Sequence, residues 1–192
     1  MKGINIFLAD GFEDIEALAT NDVLRRAGLT VNLISISDDP FVTSSHGVTI
    51  GVEDFLADLD IDHSGTTRKD VMIFPGGMPG TKNLASCKPL IKAMKEHYAA
   101  GGTVAAICAA PGLVLSQLGD ELKGIDFTCF DSFETRPESH GAVFSPRSAI
   151  RSGRIITGRS AGHAISFALA ILDAVKPEKV EEVRHALYLD TI

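Results

Sequence analysis

Runs of consecutive apolar residues alternate along the chain with segments whose apolar positions recur every three or four residues. That alternation predicts a parallel sheet with helices on both faces: strands covered on both sides are apolar throughout, whereas a covering helix needs only one apolar stripe. Ile4 to Ala9 reads as the first strand. Ile15, Leu18, Ala19, Val23 and Ala27 then form a stripe on a helix that stops at Gly28, and Thr30 to Ile36 reads as the second strand. Residues 41–70 alternate weakly and are rich in turn formers, which predicts a small hairpin or extra strand followed by a surface loop.

The pattern continues in the second half. Asp70 to Gly77 is a buried strand running into a turn, Lys88 to Ala100 is a helix closed by Gly101 and Gly102, and Thr103 to Ile107 is the next strand. Pro111 suits the first turn of a helix extending to about Gly119, so Cys108 falls at a strand-to-helix elbow. After it come the apolar run Phe127 to Phe130, a turn-rich stretch to Gly153, and the strand Arg154 to Gly158. The nearly all-apolar helix Ala164 to Val175 must be buried, and an amphipathic helix from Pro177 to Leu187 ends the pattern. Without internal repeats or a linker, residues 1–192 are expected to form one α/β domain.

Composition narrows the partners. At 45% hydrophobic residues the 192-residue chain suits one sizeable core, and its net charge of −7, with no basic block, argues against nucleic acid and anionic membranes. Residues 1–16 hold no apolar signal core and no run reaches membrane-spanning length, so a cytoplasmic protein is expected. Cys87, Cys108 and Cys129 are widely spaced, which fits free thiols in a reducing compartment rather than a disulfide framework or a metal site.

In an open α/β sheet, ligands bind beyond the carboxyl ends of the strands. Three segments end there: "DGFEDIE" after the first strand, "PGGMPG" after the third and "CAAP" after the fourth. The elbow aims N–H groups and the positive end of a helix dipole at the Cys108 sulfur, which favours thiolate. Glu13 and Glu16, three apart at a helix start, project toward the same crevice, although acidic residues in a first turn are also ordinary partners of the helix dipole. A Glu16 carboxyl near a thiolate and away from water is expected to be protonated and to donate to sulfur, ready for general acid and base work. The consecutive glycines Gly76 and Gly77 offer backbone N–H groups for a developing oxyanion. The loop lacks the spacing of a phosphate-binding motif.

The stretches "LADGFEDIEAL", "NDVLRRAGLTV", "DVMIFPGGMPGTKNL", "VAAICAAPGLVL" and "IITGRSAGHAISFALAIL", in this order, resemble the ThiJ/PfpI superfamily, and within it the parkinsonism-associated deglycase branch. The resemblance runs nearly end to end. It implies a flavodoxin-like three-layer sandwich, a homodimer, and Cys108 as an oxidation-prone nucleophile hydrogen-bonded by a protonated Glu16. Glu13 matches a second acidic residue near the site and the dimer contact, Gly76 and Gly77 match the oxyanion nest, and Arg26 matches a dimer-contact arginine. Cofactor-free glyoxalase and deglycase activities, chaperone action and oxidative-stress sensing are the implied functions. Ala109, beside the oxyanion site, stands where protease-like members carry histidine, which argues against a peptidase. Phe130 stands near the place of a site histidine found in some close members.

Of the six histidines, His46, His140 and His163 lie in or beside loops bordering the crevice and are candidates for touching substrate or the partner subunit. His63 and His97 are expected in solvent, and His185 at the surface or a subunit contact; none has the spacing of a metal ligand. Three readings follow: a cysteine enzyme acting on small 2-oxoaldehydes, a redox sensor or protective binding protein using the same thiol, and, last, a peptide or amide hydrolase.

Overall fold

The computed structural model describes residues 1–59 and 61–189. Strand β1 (Ile4–Leu8) leads into helix α1 (Asp14–Arg26) and strand β2 (Val31–Ser35). The weakly patterned region forms both of its expected alternatives: a hairpin of β3 (Phe41–Thr43) and β4 (Thr49–Gly51), then the short strand β5 (Asp54–Phe55), which pairs with β2. Strand β6 (Val71–Phe74), helices α2 (Gly80–Ser86) and α3 (Lys88–Ala99), and strand β7 (Thr103–Ile107) follow. Then come α4 (Ala110–Leu113), β8 (Asp126–Phe127), α5 (Thr135–Ser139), β9 (Val143–Phe144), β10 (Ala149–Ser152), β11 (Ile155–Gly158), α6 (Ala164–Val175) and α7 (Val180–Ala186).

The main sheet has the order β10-β11-β7-β6-β1-β2-β5, parallel throughout except for the antiparallel edge pair β10 and β11. Side chains alternate across it, so Ile4, Ile6 and Leu8 of β1 pack beneath α1 and α6 with Phe167 and Leu172, while Phe7 faces the opposite core with Phe74, Leu90 and Met94. Helices therefore cover both faces of a mostly parallel sheet, a flavodoxin-like sandwich. The chain reverses its direction of travel across the sheet at β1, which lies between β2 and β6, and the crevice at the carboxyl ends of β1 and β6 is the place where such sheets bind ligands.

Several expectations are corrected. The buried face of α1 carries Glu16, Ala17, Thr20, Val23 and Leu24; of the expected stripe Val23 and Ala27 are buried, whereas Ile15 is 56% exposed and Leu18 and Ala19 are only half-buried. The helix after Pro111 does not continue to Gly119: α4 is a single turn, followed by 3₁₀ turns over Leu115–Leu122. The run Phe127 to Phe130 is a strand only over β8, and Cys129 lies just past it, buried. The segment from Pro177 divides into a 3₁₀ turn, Pro177–Lys179, and α7. Helix α6 buries Ala164, Phe167, Ala168, Ile171, Leu172 and Val175 but leaves Ile165 exposed. His97 is fully buried, its Nε2 held 3.1 Å from the Asp70 carbonyl oxygen and 3.2 Å from that of Thr103; burial holds it neutral, with its pKa lowered to about 4. His63 is half-buried rather than solvated, its Nδ1 2.8 Å from the amino group of Met1. No helix among the described residues is long and apolar enough to cross a membrane.

Candidate active site

Strand β7 leads directly into Cys108, which takes φ 64°, the left-handed region that costs a residue bearing Cβ about 1–3 kcal/mol. Two hydrogen bonds hold it there. Its N–H donates to the Gly158 carbonyl oxygen at 3.0 Å, and its own carbonyl oxygen accepts from the Phe130 N–H at 2.8 Å. The conformation turns the thiol out of the sheet, partly buried, toward the amino end of α1.

Helix α1 supplies the acid. Glu13 is its N-cap, accepting the Glu16 N–H on Oε2 at 2.7 Å, and this bond sets the first turn from which Glu16 points inward. Glu16 is 1% exposed. Its Oε2 accepts the Gly76 N–H at 2.7 Å, Oε1 is buried with no partner of good hydrogen-bond geometry, and the carboxyl group has the Cys108 thiol as a neighbour. Gly76 is required by this close approach: a Cβ there would lie 2.5 Å from Glu16 Oε2 and 2.6 Å from Cys108 Cβ. Gly77 is required twice over, by φ 90° and because a Cβ would come within 2.4 Å of the Glu13 nitrogen.

Burial pushes the Glu16 carboxyl up to about 7; the Gly76 N–H and the Cys108 contact oppose the rise, and the Glu13 charge adds to it. Burial also pushes the Cys108 thiol up, the Glu16 charge and hydrogen bond push the same way, and the N–H groups of Ala109 and Gly77 pull it down. The expected elbow thiolate is thus not favoured by the elbow alone. Desolvation exceeds what two N–H groups and a one-turn helix supply, since a helix dipole needs length. Each anion is destabilised by the other, so one proton is kept between the pair. When Glu16 carries it, the opposing charge vanishes and the carboxyl becomes a donor to sulfur, which is the condition under which the thiolate is supported.

The pair opens into a cavity of about 500 Å³. Gly77 and Ala109 border it beside the sulfur, Glu13 lies at its acidic side, and Met78, Phe130 and Phe133 form an apolar wall. Phe130 and Phe133 meet edge to face at 6.4 Å between ring centres. His46 reaches the cavity from the hairpin turn, mostly exposed, with Nδ1 2.8 Å from Asp14 Oδ2. Donor atoms of Glu13, Asp14 and His46 lie within 4.8 Å of one another, but these side chains already serve as the helix cap and the carboxylate–imidazole pair.

The other two candidate histidines do not line the cavity. His140 follows α5, its N–H bonded to the Pro137 carbonyl oxygen, and His163 opens α6 with Nδ1 3.0 Å from Ser160 Oγ. Arg26 pairs with Asp22 at 2.6 Å on the exposed last turn of α1. Met78, Phe133, Ser45 and residues Ser160 to Gly162 also line the cavity, none of them singled out from the sequence as a site residue. The advance signals were the adjacency of Met78 to the glycine pair and the loops of His46 and His163, expected beside the crevice, which hold Ser45 and residues 160–162.

A family model for the DJ-1/PfpI family matches residues 2–174. "Protein DJ-1 homolog B" of Arabidopsis thaliana is 32% identical over 98% of this chain, which spans only 42% of that relative's length. "Glutathione-independent glyoxalase DJR-1.2" of Caenorhabditis elegans is 31% identical over 92% of this chain and 90% of its own. The solved structure "Toxoplasma gondii DJ-1, oxidized" superposes with a TM-score of 0.85, at 28% identity, over 98% of both chains. The chain belongs to the DJ-1/PfpI family.

Proposed function

We propose that this protein is a cysteine-dependent, cofactor-free glyoxalase or deglycase-like enzyme of the cytoplasm, acting as a homodimer on small 2-oxoaldehydes or their early adducts. The observation that carries this reading is the buried Glu16 carboxyl, raised to about 7, beside a thiol flanked by the Gly77 and Ala109 N–H groups. The naming of the C. elegans relative as a glutathione-independent glyoxalase supports it at the level of the family.

The thiolate of Cys108 adds to the aldehyde carbon, forming a C–S bond while the carbonyl pair moves onto oxygen. The Gly77 and Ala109 N–H groups hold that oxygen, and the Glu16 proton neutralises it. Glu16, now a carboxylate, removes the hydrogen from the same carbon, giving an enediolate with its charge on the former ketone oxygen; it returns that proton to the neighbouring carbon while the adduct hydroxyl proton passes to the adjacent oxygen. The product is a thioester of a 2-hydroxy acid. Water cleaves its C–S bond, releasing the acid and restoring the thiol and the shared proton. Glu13 fixes the start of α1, His46 is placed to touch substrate at the mouth, and Arg26 belongs to the dimer contact. Lactate formation from methylglyoxal by the purified protein tests the reading. Cys108→Ala and Glu16→Ala are both expected to abolish it, and activity surviving Cys108→Ala ends the mechanism.

A second reading is favoured by the unpartnered Glu16 Oε1: a proton there would hydrogen-bond an oxidised Cys108, making the site an oxidation sensor. Intact mass after mild peroxide decides it. A gain of two oxygens confined to Cys108 is expected, and no selective gain removes the reading.

A further inference from the structure

We infer that the preferred substrates of this site are neutral 2-oxoaldehydes bearing an aromatic or bulky apolar group, rather than methylglyoxal or an acidic analogue; this rests on the glyoxalase reading above. Three observations carry the inference. The cavity of about 500 Å³ has the size that encloses ligands much larger than methylglyoxal. With an aldehyde carbon at the Cys108 sulfur and its oxygen on the Gly77 and Ala109 N–H groups, the rest of the molecule extends toward Met78, Phe130 and Phe133. A methyl group would leave that volume to water, whereas a phenyl ring can stack against the Phe130 and Phe133 pair and cover Met78.

Phe130 and Met78 are 48% and 39% exposed, which is a cost unless something apolar covers them. The third observation is charge. The acidic side chains on the wall are Glu13 and Glu16, and no lysine or arginine lines it among the described residues. The imidazole of His46 is already paired with Asp14. A substrate carrying a carboxylate therefore meets like charge with no counter-ion from this chain's wall.

The experiment compares kcat/KM for methylglyoxal, phenylglyoxal and 4-carboxyphenylglyoxal, in the wild type and in Phe130→Ser. It also measures binding of the unreactive ketones hydroxyacetone and 2-hydroxyacetophenone to both proteins by NMR titration. Phenylglyoxal is expected to exceed methylglyoxal by roughly tenfold or more. The carboxylated analogue should fall at least about tenfold below phenylglyoxal, and Phe130→Ser should shrink the phenyl-to-methyl ratio severalfold. Phe130 is half exposed and contributes its backbone N–H to the elbow, so the serine variant keeps the fold. Methylglyoxal turned over as well as phenylglyoxal, with the two ketones binding equally, overturns the substrate class and leaves the glyoxalase reading intact. Phe130-dependent binding of the aryl ketone without turnover of any glyoxal supports the cavity's preference and overturns the glyoxalase reading instead. Absence of both defeats the two together.

Discussion

Gly76 stands between Glu16 and Cys108: its N–H donates to Glu16 Oε2 at 2.7 Å, and a Cβ on it would meet that oxygen at 2.5 Å and Cys108 Cβ at 2.6 Å. A methyl group there cannot be absorbed by a flexible neighbour, because one side is a buried, hydrogen-bonded carboxyl and the other a residue pinned at both its N–H and its carbonyl. Gly76→Ala is expected to cost about 1–3 kcal/mol of stability in denaturant titration. It should lower kcat by more than about tenfold, since a displacement of the acid from the sulfur breaks the reacting geometry. A variant with full activity would show that the two groups do not work together.

The shared proton predicts the shape of the rate profile. The working pair holds one proton, so kcat/KM for a 2-oxoaldehyde should rise with pH through about 7, where Glu16 titrates, and then level off. No alkaline fall is expected in the neutral range, because burial and the Glu16 charge push loss of the second proton, from Cys108, upward. A profile already flat from pH 5 would mean that Glu16 is an ordinary carboxylate.

Cys108 pays a conformational cost at φ 64° that its side chain cannot relieve. Cys108→Ala keeps Cβ and hence the strain, whereas Cys108→Gly removes it at a smaller cost in unfolded-chain entropy. The glycine variant should therefore unfold at higher denaturant than the alanine variant, by about 1 kcal/mol. Equal stability of the two would show that the elbow is unstrained.

The sheet was legible because β1, β6, β7 and β11 are short apolar runs that only a doubly covered strand explains. Helix α2 was not, since "GTKNLAS" has one large apolar residue, Leu84, and is held by its place between the site loop and α3. The site was legible where one segment carried it, as with Cys108 at a strand end and Glu16 in the first turn of a helix. It was illegible where burial decided the chemistry: a thiol at a strand end looks like a thiolate until its desolvation is known. His97 reads as polar on a helix flank, yet it fills the space left by the missing side chain of Gly102, where a Cβ would lie 2.1 Å from its Nε2. The apolar wall of Phe130, Phe133 and Met78 joins segments that only the folded sheet brings together.

Glu16 and His97 are both buried and neutral in the folded protein, one as an acid and one as a base, so they bias stability in opposite directions over the same pH window. Glu16 is raised from 4.5 to about 7, so the folded state binds more protons than the unfolded, and its contribution is lost as pH rises from about 4.5 to about 7. His97 is lowered from 6.5 to about 4, so the unfolded state binds more protons, and stability is lost as pH falls through that range. Each effect is of the order of 3 kcal/mol when complete. Between about pH 4.5 and 6.5 they nearly cancel, and the wild type should show a nearly level stability curve there. Glu16→Gln, which keeps the acceptor for the Gly76 N–H, should expose a curve that climbs with pH. His97→Gln should expose one that falls, less steeply, because His63 is shifted in the same direction as His97. The hydrogen-bonded aspartates Asp14, Asp62 and Asp70 are all lowered from 3.8 and act below this window. Urea titrations at half-unit pH steps read the three slopes, and parallel curves for wild type and Glu16→Gln would mean that Glu16 enters the fold already charged.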